Sequence, residues 1–105
     1  MRSFEKVRDE LAARLENLER RQQKLERDLR KLANPDSQER AQEAENDEVL
    51  VDLELQGRAE ISQVRAALGR IDSGTFGTCD RCGEEISDGR LEAVPYTGVC
   101  IDCAV

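Results

Sequence analysis

Leu25-Glu-Arg-Asp-Leu29-Arg-Lys-Leu32-Ala-Asn-Pro35-Asp-Ser37 decides the fold, because a helical repeat runs into this stretch and is cut off inside it. Leu25, Leu29 and Leu32 fall on one face of a helix. The same row extends back through Leu18, Leu15, Leu11, Val7 and Phe4, with Gln22 filling the gap. The steps alternate between three and four residues, a coiled-coil seam with one four-residue stutter at Leu11–Leu15. No Gly or Pro interrupts residues 1–32, so the pattern predicts a long amphipathic helix ending at about Leu32. Pro35 then restrains Asn34 and lacks the N–H that would extend the incoming helix.

Beyond the break, a second helix is predicted from about Ser37 to Asp72. Its seam reads Leu50, Leu53, Gly57, Ile61, Val64, Leu68 and Ile71, with a stutter at 53–57–61. So short a loop between long helices favours an antiparallel hairpin, and the two stutters are expected roughly opposite each other. Residues 38–48 have only Ala41 and Ala44 as apolar groups, so this end of the second helix is acidic and thinly packed. An arm of about 30 residues reaches roughly 45 Å, enough to carry its tip into a deep channel. A purely structural hairpin, or a coiled coil that pairs with a second copy, would show the same seam. A monomer is the expectation.

Composition supports an extended architecture. Charged residues make up 37% of the chain and Phe4, Phe76 and Tyr96 are its only aromatic residues, which excludes a large globular core. The net charge of −7 is unevenly spread: residues 1–32 hold 10 Lys or Arg against 7 acids, residues 33–60 hold 2 against 9, and residues 61–105 hold 4 against 7. A nucleic-acid binder shows a basic stripe, whereas the C-terminal segment has only Arg81 and Arg90 among its cysteines. Direct DNA binding is therefore not expected, and the expected partner is a protein with a basic or metal-containing surface. The start, Met1-Arg-Ser-Phe-Glu-Lys-Val-Arg-Asp-Glu10, has no apolar signal region and no segment approaches membrane-spanning length. A cytoplasmic protein with no membrane association is expected.

All four cysteines fall in two close pairs, Cys79-Asp-Arg-Cys82-Gly83 and Cys100-Ile-Asp-Cys103. A two-residue spacer lets both sulfurs of a pair reach one tetrahedral ion, Gly83 permits the tight turn, and the intervening chain is long enough to return and close the shell. A single such pair would leave thiol redox chemistry open, and an iron site is the other competitor; two pairs at this spacing favour zinc. With Cys79, Cys82, Cys100 and Cys103 as ligands no position remains for water or substrate, so one structural Zn²⁺ is expected. Ser73-Gly-Thr-Phe-Gly77 stops the second helix, with Gly74 suited to the left-handed residue after a helix end.

At Ala66-Ala-Leu-Gly-Arg-Ile71, Gly74-Thr-Phe-Gly-Thr-Cys79, Cys82-Gly83, Arg90-Leu-Glu-Ala-Val-Pro95 and Cys100-Ile-Asp-Cys103 the sequence resembles the DksA/TraR family of bacterial transcription factors. The resemblance implies a factor that binds RNA polymerase rather than DNA, with the hairpin entering the polymerase secondary channel. It also implies an acidic tip brought near the active-site Mg²⁺, acting in many members together with the alarmone ppGpp. The family's tip motif is Asp-x-x-Asp-x-Ala. The matching stretch here is Asp36-Ser-Gln-Glu39-Arg-Ala41, so Asp36 and Ala41 match and Glu39 is one methylene longer. Asp36 followed by Glu39 is equally a capping box at the start of the second helix, and both roles can coexist. The basic residues by which ppGpp-responsive members hold the nucleotide align with Gln63, Val94 and Ala104, none of them basic, so dependence on ppGpp is not expected.

The expected protein is thus all-α: a long antiparallel coiled-coil hairpin over residues 1–72, with its tip at about 33–41, and a small four-cysteine zinc finger over residues 73–105. Its expected role is that of a non-enzymatic regulator of RNA polymerase. A zinc-stabilised coiled-coil adaptor with another protein partner is the alternative.

Overall fold

The computed structural model describes residues 3–32 and 40–104. Three helices form in chain order: α1 (Glu5–Leu32), α2 (Arg40–Ser73) and the short α3 (Asp88–Ala93). Among the described residues there is no strand, only an isolated antiparallel bridge between Thr78 and Glu85. The fold is all-α, with two long antiparallel helices in contact and the four cysteines clustered near the C-terminus. The chain groups into two compact units, one made of residues 1–15 and 62–105, the other of residues 16–61.

The unit of residues 16–61 is a pair of helical segments. The α1 seam reads as the spacing predicts: Leu18 and Gln22 are buried, and Leu25 and Leu29 are half-buried. The α2 seam differs from the expected one. Leu53 is 41% exposed, whereas the next residue, Glu54, is only 6% exposed. With Glu54 in the row, Leu50, Glu54, Gly57 and Ile61 follow alternating steps of four and three, and the expected stutter at 53–57–61 disappears.

The reason lies across the seam. Gln22 Nε2 donates to the Glu54 backbone oxygen at 2.9 Å and to Glu54 Oε1 at 3.2 Å, and Arg58 pairs with the same carboxylate from solvent. Gly57 makes room for the Gln22 amide, because a methyl group at that position would overlap its oxygen. A polar layer that satisfies its own hydrogen bonds tolerates burial that a lone glutamate would not. It displaces Leu53 to the flank, where Val49, Val51 and Leu55 are also exposed.

The other unit packs the start of α1 and the end of α2 with residues 74–104. Its core is Leu11, Val64, Ala67, Phe76, Ile86 and Leu91, all buried. The Phe4 ring meets Phe76 edge-on, with centroids 4.7 Å apart. Arg8 pairs with Asp72 at 2.9 Å on the surface. Helix α2 ends in a Schellman motif: Gly74 takes φ +81°, its N–H reaches the Ile71 oxygen at 3.3 Å, and the Thr75 N–H reaches Arg70 O at 2.9 Å. Gly74 is thus the left-handed residue that the sequence predicts. Because the motif turns the chain at once, Phe76 enters the core three residues after the helix ends.

Candidate metal centre

Short backbone bonds shape the first cysteine pair. Gly77 (φ +86°) lets the chain turn so that Ile86 N–H can bond to its oxygen at 2.7 Å. Within the pair, Cys79 N–H donates to Glu84 O at 2.8 Å and Gly83 N–H donates to Cys79 O at 3.0 Å. Gly83 adopts φ +76°, a conformation that glycine takes without strain, which closes the turn around Cys82. The second pair is a similar turn, in which Cys103 N–H donates to Cys100 O at 3.1 Å. Arg81 crosses between the pairs, its Nη1 donating to Cys103 O at 3.2 Å.

These turns bring all four thiols together. The sulfurs of Cys79, Cys82, Cys100 and Cys103 lie within 4.8 Å of one another, and the Cys82 and Cys100 sulfurs are 3.7 Å apart. A tetrahedral zinc with Zn–S bonds of about 2.3 Å needs sulfurs about 3.8 Å apart, so the cluster fits the ion in both donor type and spacing. It can bind one zinc ion.

Electrostatics argue the same way. Backbone N–H bonds, foremost from Cys100 and then from Cys82, hold the Cys79 thiol down at about 6. At Cys82 a backbone bond from Glu84 favours the thiolate, but the bonds with the Cys79 and Cys100 thiols and desolvation outweigh it and push the group up. Cys103 is pushed up to about 12, chiefly by Cys100 and then by Cys79 and Cys82. One thiolate is accommodated and further ones are opposed by crowding, which a divalent cation relieves.

Of the residues expected at the tip, Asp36 and Glu39 lie outside the described residues, and Ala41 falls in the first turn of α2. Gln63 is exposed on α2, Val94 ends α3 and Ala104 is exposed near the C-terminus. Sequence reasoning missed the segment Tyr96–Val99, which leads into Cys100 and is gripped by arginine side chains. Arginines standing out in an acidic segment were its only signal.

The N-terminal part, residues 7–71, matches the DnaK suppressor protein-like N-terminal domain, and residues 74–105 match the prokaryotic DksA/TraR C4-type zinc finger. The RNA polymerase-binding transcription factor DksA of Haemophilus influenzae is 41% identical over 73 residues, covering 66% of this chain and 48% of that protein. The chain spans about half the length of the curated relatives it matches. Among solved structures, transcription factor DksA2 from Pseudomonas aeruginosa superposes with a TM-score of 0.78 at 28% identity, covering 91% of this chain and 75% of that one. The solution structure of DnaK suppressor protein from Agrobacterium tumefaciens has a TM-score of 0.66 at 48% identity, covering 97% of this chain and 91% of that one.

Proposed function

This chain belongs to the DksA/TraR family, and from that premise we propose that it is a non-enzymatic transcription regulator that binds RNA polymerase in the cytoplasm. The observation that carries this reading is the joining, in one chain, of a long two-helix hairpin with a four-thiol cluster fitted to zinc. A metal-held base that leaves no ligand position open performs no chemistry of its own, so its contribution is to hold a shape. The relative in Haemophilus influenzae, 41% identical over 73 residues, is named for polymerase binding.

In the finer reading, the segment joining α1 to α2 enters the secondary channel, and Asp36, Glu39 and Ala41 act there. Zinc is held by Cys79, Cys82, Cys100 and Cys103. The protein works as a monomer, without direct DNA contact and without ppGpp bound at Gln63, Val94 and Ala104, where no cationic side chain is available to pair with phosphate.

Two measurements test this. Pull-down with polymerase core separates a polymerase factor from an adaptor with another partner, and failure to bind core sinks the proposal. Transcription from a stringently controlled promoter, with and without ppGpp, then tests the tip. Asp36→Asn keeps a capping oxygen but removes the charge. It is expected to bind core with near-normal affinity and to lose regulation. Full regulation by this variant would leave Asp36 a helix cap, and a strong ppGpp enhancement abolished by changes at Gln63, Val94 or Ala104 would refute the alarmone reading.

A further inference from the structure

Residues Tyr96–Val99, which lead directly into Cys100, are held by arginines from three different helices. Arg70, in the last turn of α2, donates from Nη2 to Tyr96 O at 3.0 Å. Arg90, on α3, donates from Nε to Val99 O at 3.2 Å and from Nη2 to Thr97 Oγ1 at 3.4 Å. Arg14, on α1, stacks its guanidinium over the Tyr96 ring, 5.4 Å from the centroid. Thr97, itself buried, completes the brace: its hydroxyl donates to Val99 O at 3.0 Å and accepts the Val99 N–H at 3.3 Å.

The segment also touches the first cysteine pair. Asp80, between Cys79 and Cys82, donates its N–H to Gly98 O at 2.8 Å. A side chain at Gly98 would meet Asp80 Oδ2 at 2.6 Å and the Arg70 guanidinium at 3.4 Å, so the three groups close on one another with no room to spare. These four residues therefore touch the arginines of the helices, the first cysteine pair at Asp80 and, along the chain, the second pair at Cys100.

We infer that Arg70 and Arg90, with a smaller contribution from Arg14, are positioning residues for the metal centre. They fix the conformation of 96–99 that presents Cys100 to the ion and keeps the second cysteine pair against the first. The inference rests on the zinc reading and adds to it: metal retention is set by side chains on three helices as well as by the four ligands. Outer groups that orient ligands govern affinity in this way, and a charged donor to a partly buried carbonyl is among the stronger hydrogen bonds available. A general attraction between cationic side chains and a thiolate cluster is the rival explanation, and geometry separates the two. Arg90 spans two acceptors with its planar fork, which a lysine of equal charge does not reproduce.

The test uses the full chain loaded with zinc, following release to a chromogenic chelator, together with the absorption spectrum of the Co²⁺-substituted protein, which reports ligand geometry. Arg70→Gln and Arg90→Lys are expected to release zinc about tenfold faster and to alter the Co²⁺ spectrum at unchanged helicity. Arg14→Gln is expected to change release by about threefold. Should an arginine variant fail to fold, Thr97→Val, which removes the Arg90 acceptor while keeping the side-chain shape, is expected to show the same faster release. Folded variants with wild-type release and spectrum overturn the inference. So does a wild-type Arg90→Lys beside a fast Arg90→Gln, because charge alone then suffices. A wild-type chain that takes up no zinc overturns the metal reading beneath it.

Discussion

Residues 16–61 and the unit around the cysteines satisfy their buried polar groups to very different extents from side chains. In the first, one long side chain crosses the seam, the Gln22 amide donating to both the carboxylate and the main-chain oxygen of a single residue, Glu54. In the second, arginine side chains satisfy backbone carbonyls at Tyr96 and Val99. The difference follows from secondary structure. Long helices satisfy their own peptide groups, so only a deliberately placed polar side chain needs a partner there. Residues 74–104 have one short helix and an isolated bridge, so peptide groups must find side chains or be stabilised by the turns of a metal site. A helical pair can thus keep a modest apolar core, whereas a finger of this size needs cross-links.

Removing a cross-link tests that contrast most severely. Cys100→Ser is expected to bring zinc content well below one per chain and to unfold the finger, while amides of residues 18–29 and 50–61 keep their protection from hydrogen exchange. Metal analysis and exchange measurements check it, and loss of protection in both regions would break the comparison.

Acid reaches the same region by a reversible route. Zinc takes thiolates, and in the metal-free cluster Cys82 and Cys103 sit above the ordinary thiol range, so they carry protons at neutral pH that binding must release. Protons therefore compete with the metal, and affinity falls as pH falls, by roughly tenfold per pH unit for each proton released. A zinc titration at two pH values measures the slope, and a flat profile refutes the account.

The helical pair answers to smaller changes. Glu54→Ala removes one acceptor of the buried Gln22 amide and leaves it the main-chain oxygen, so it is expected to cost about 0.5–1.5 kcal/mol in urea unfolding. Replacing Gln22 and Glu54 together by leucine is expected to be close to neutral or stabilising, because no buried polar group is left without a partner and Arg58 remains exposed to solvent. A double variant as unstable as the single one would show that the layer does more than satisfy itself. The smallest effect is expected at Arg8→Gln, under about 1 kcal/mol and vanishing at high salt. Both partners of the Arg8–Asp72 pair are more than half exposed, at 56% and 58%.

These cases also mark what the sequence disclosed. The α1 seam and the cysteine spacing were legible because each rests on residue type at a fixed interval, and the structure buries Leu11 and Leu18 and gathers the four sulfurs accordingly. The α2 seam was misread by one residue at Leu53 because a leucine reads as core and a glutamate as surface. Only the pairing with Gln22, thirty-two residues away, reverses the two. The grip on Tyr96–Val99 was invisible for a related reason. Its acceptors are mostly main-chain oxygens, which every residue carries, and its donors are arginines, which by themselves read as solvated.

The Schellman turn at Gly74 leaves no slack between α2 and the metal centre, and that constrains how such chains can change length. One residue inserted in the last turn of α2 would rotate everything after it by about 100° and advance it about 1.5 Å. Phe76 would leave Phe4, and Arg70 would no longer reach Tyr96 O. Seven residues added to each long helix instead restore the seam to nearly the same phase. Insertions and deletions among chains of this design should therefore be quantised, arriving in paired heptads along the helices and almost never between Arg70 and Cys79.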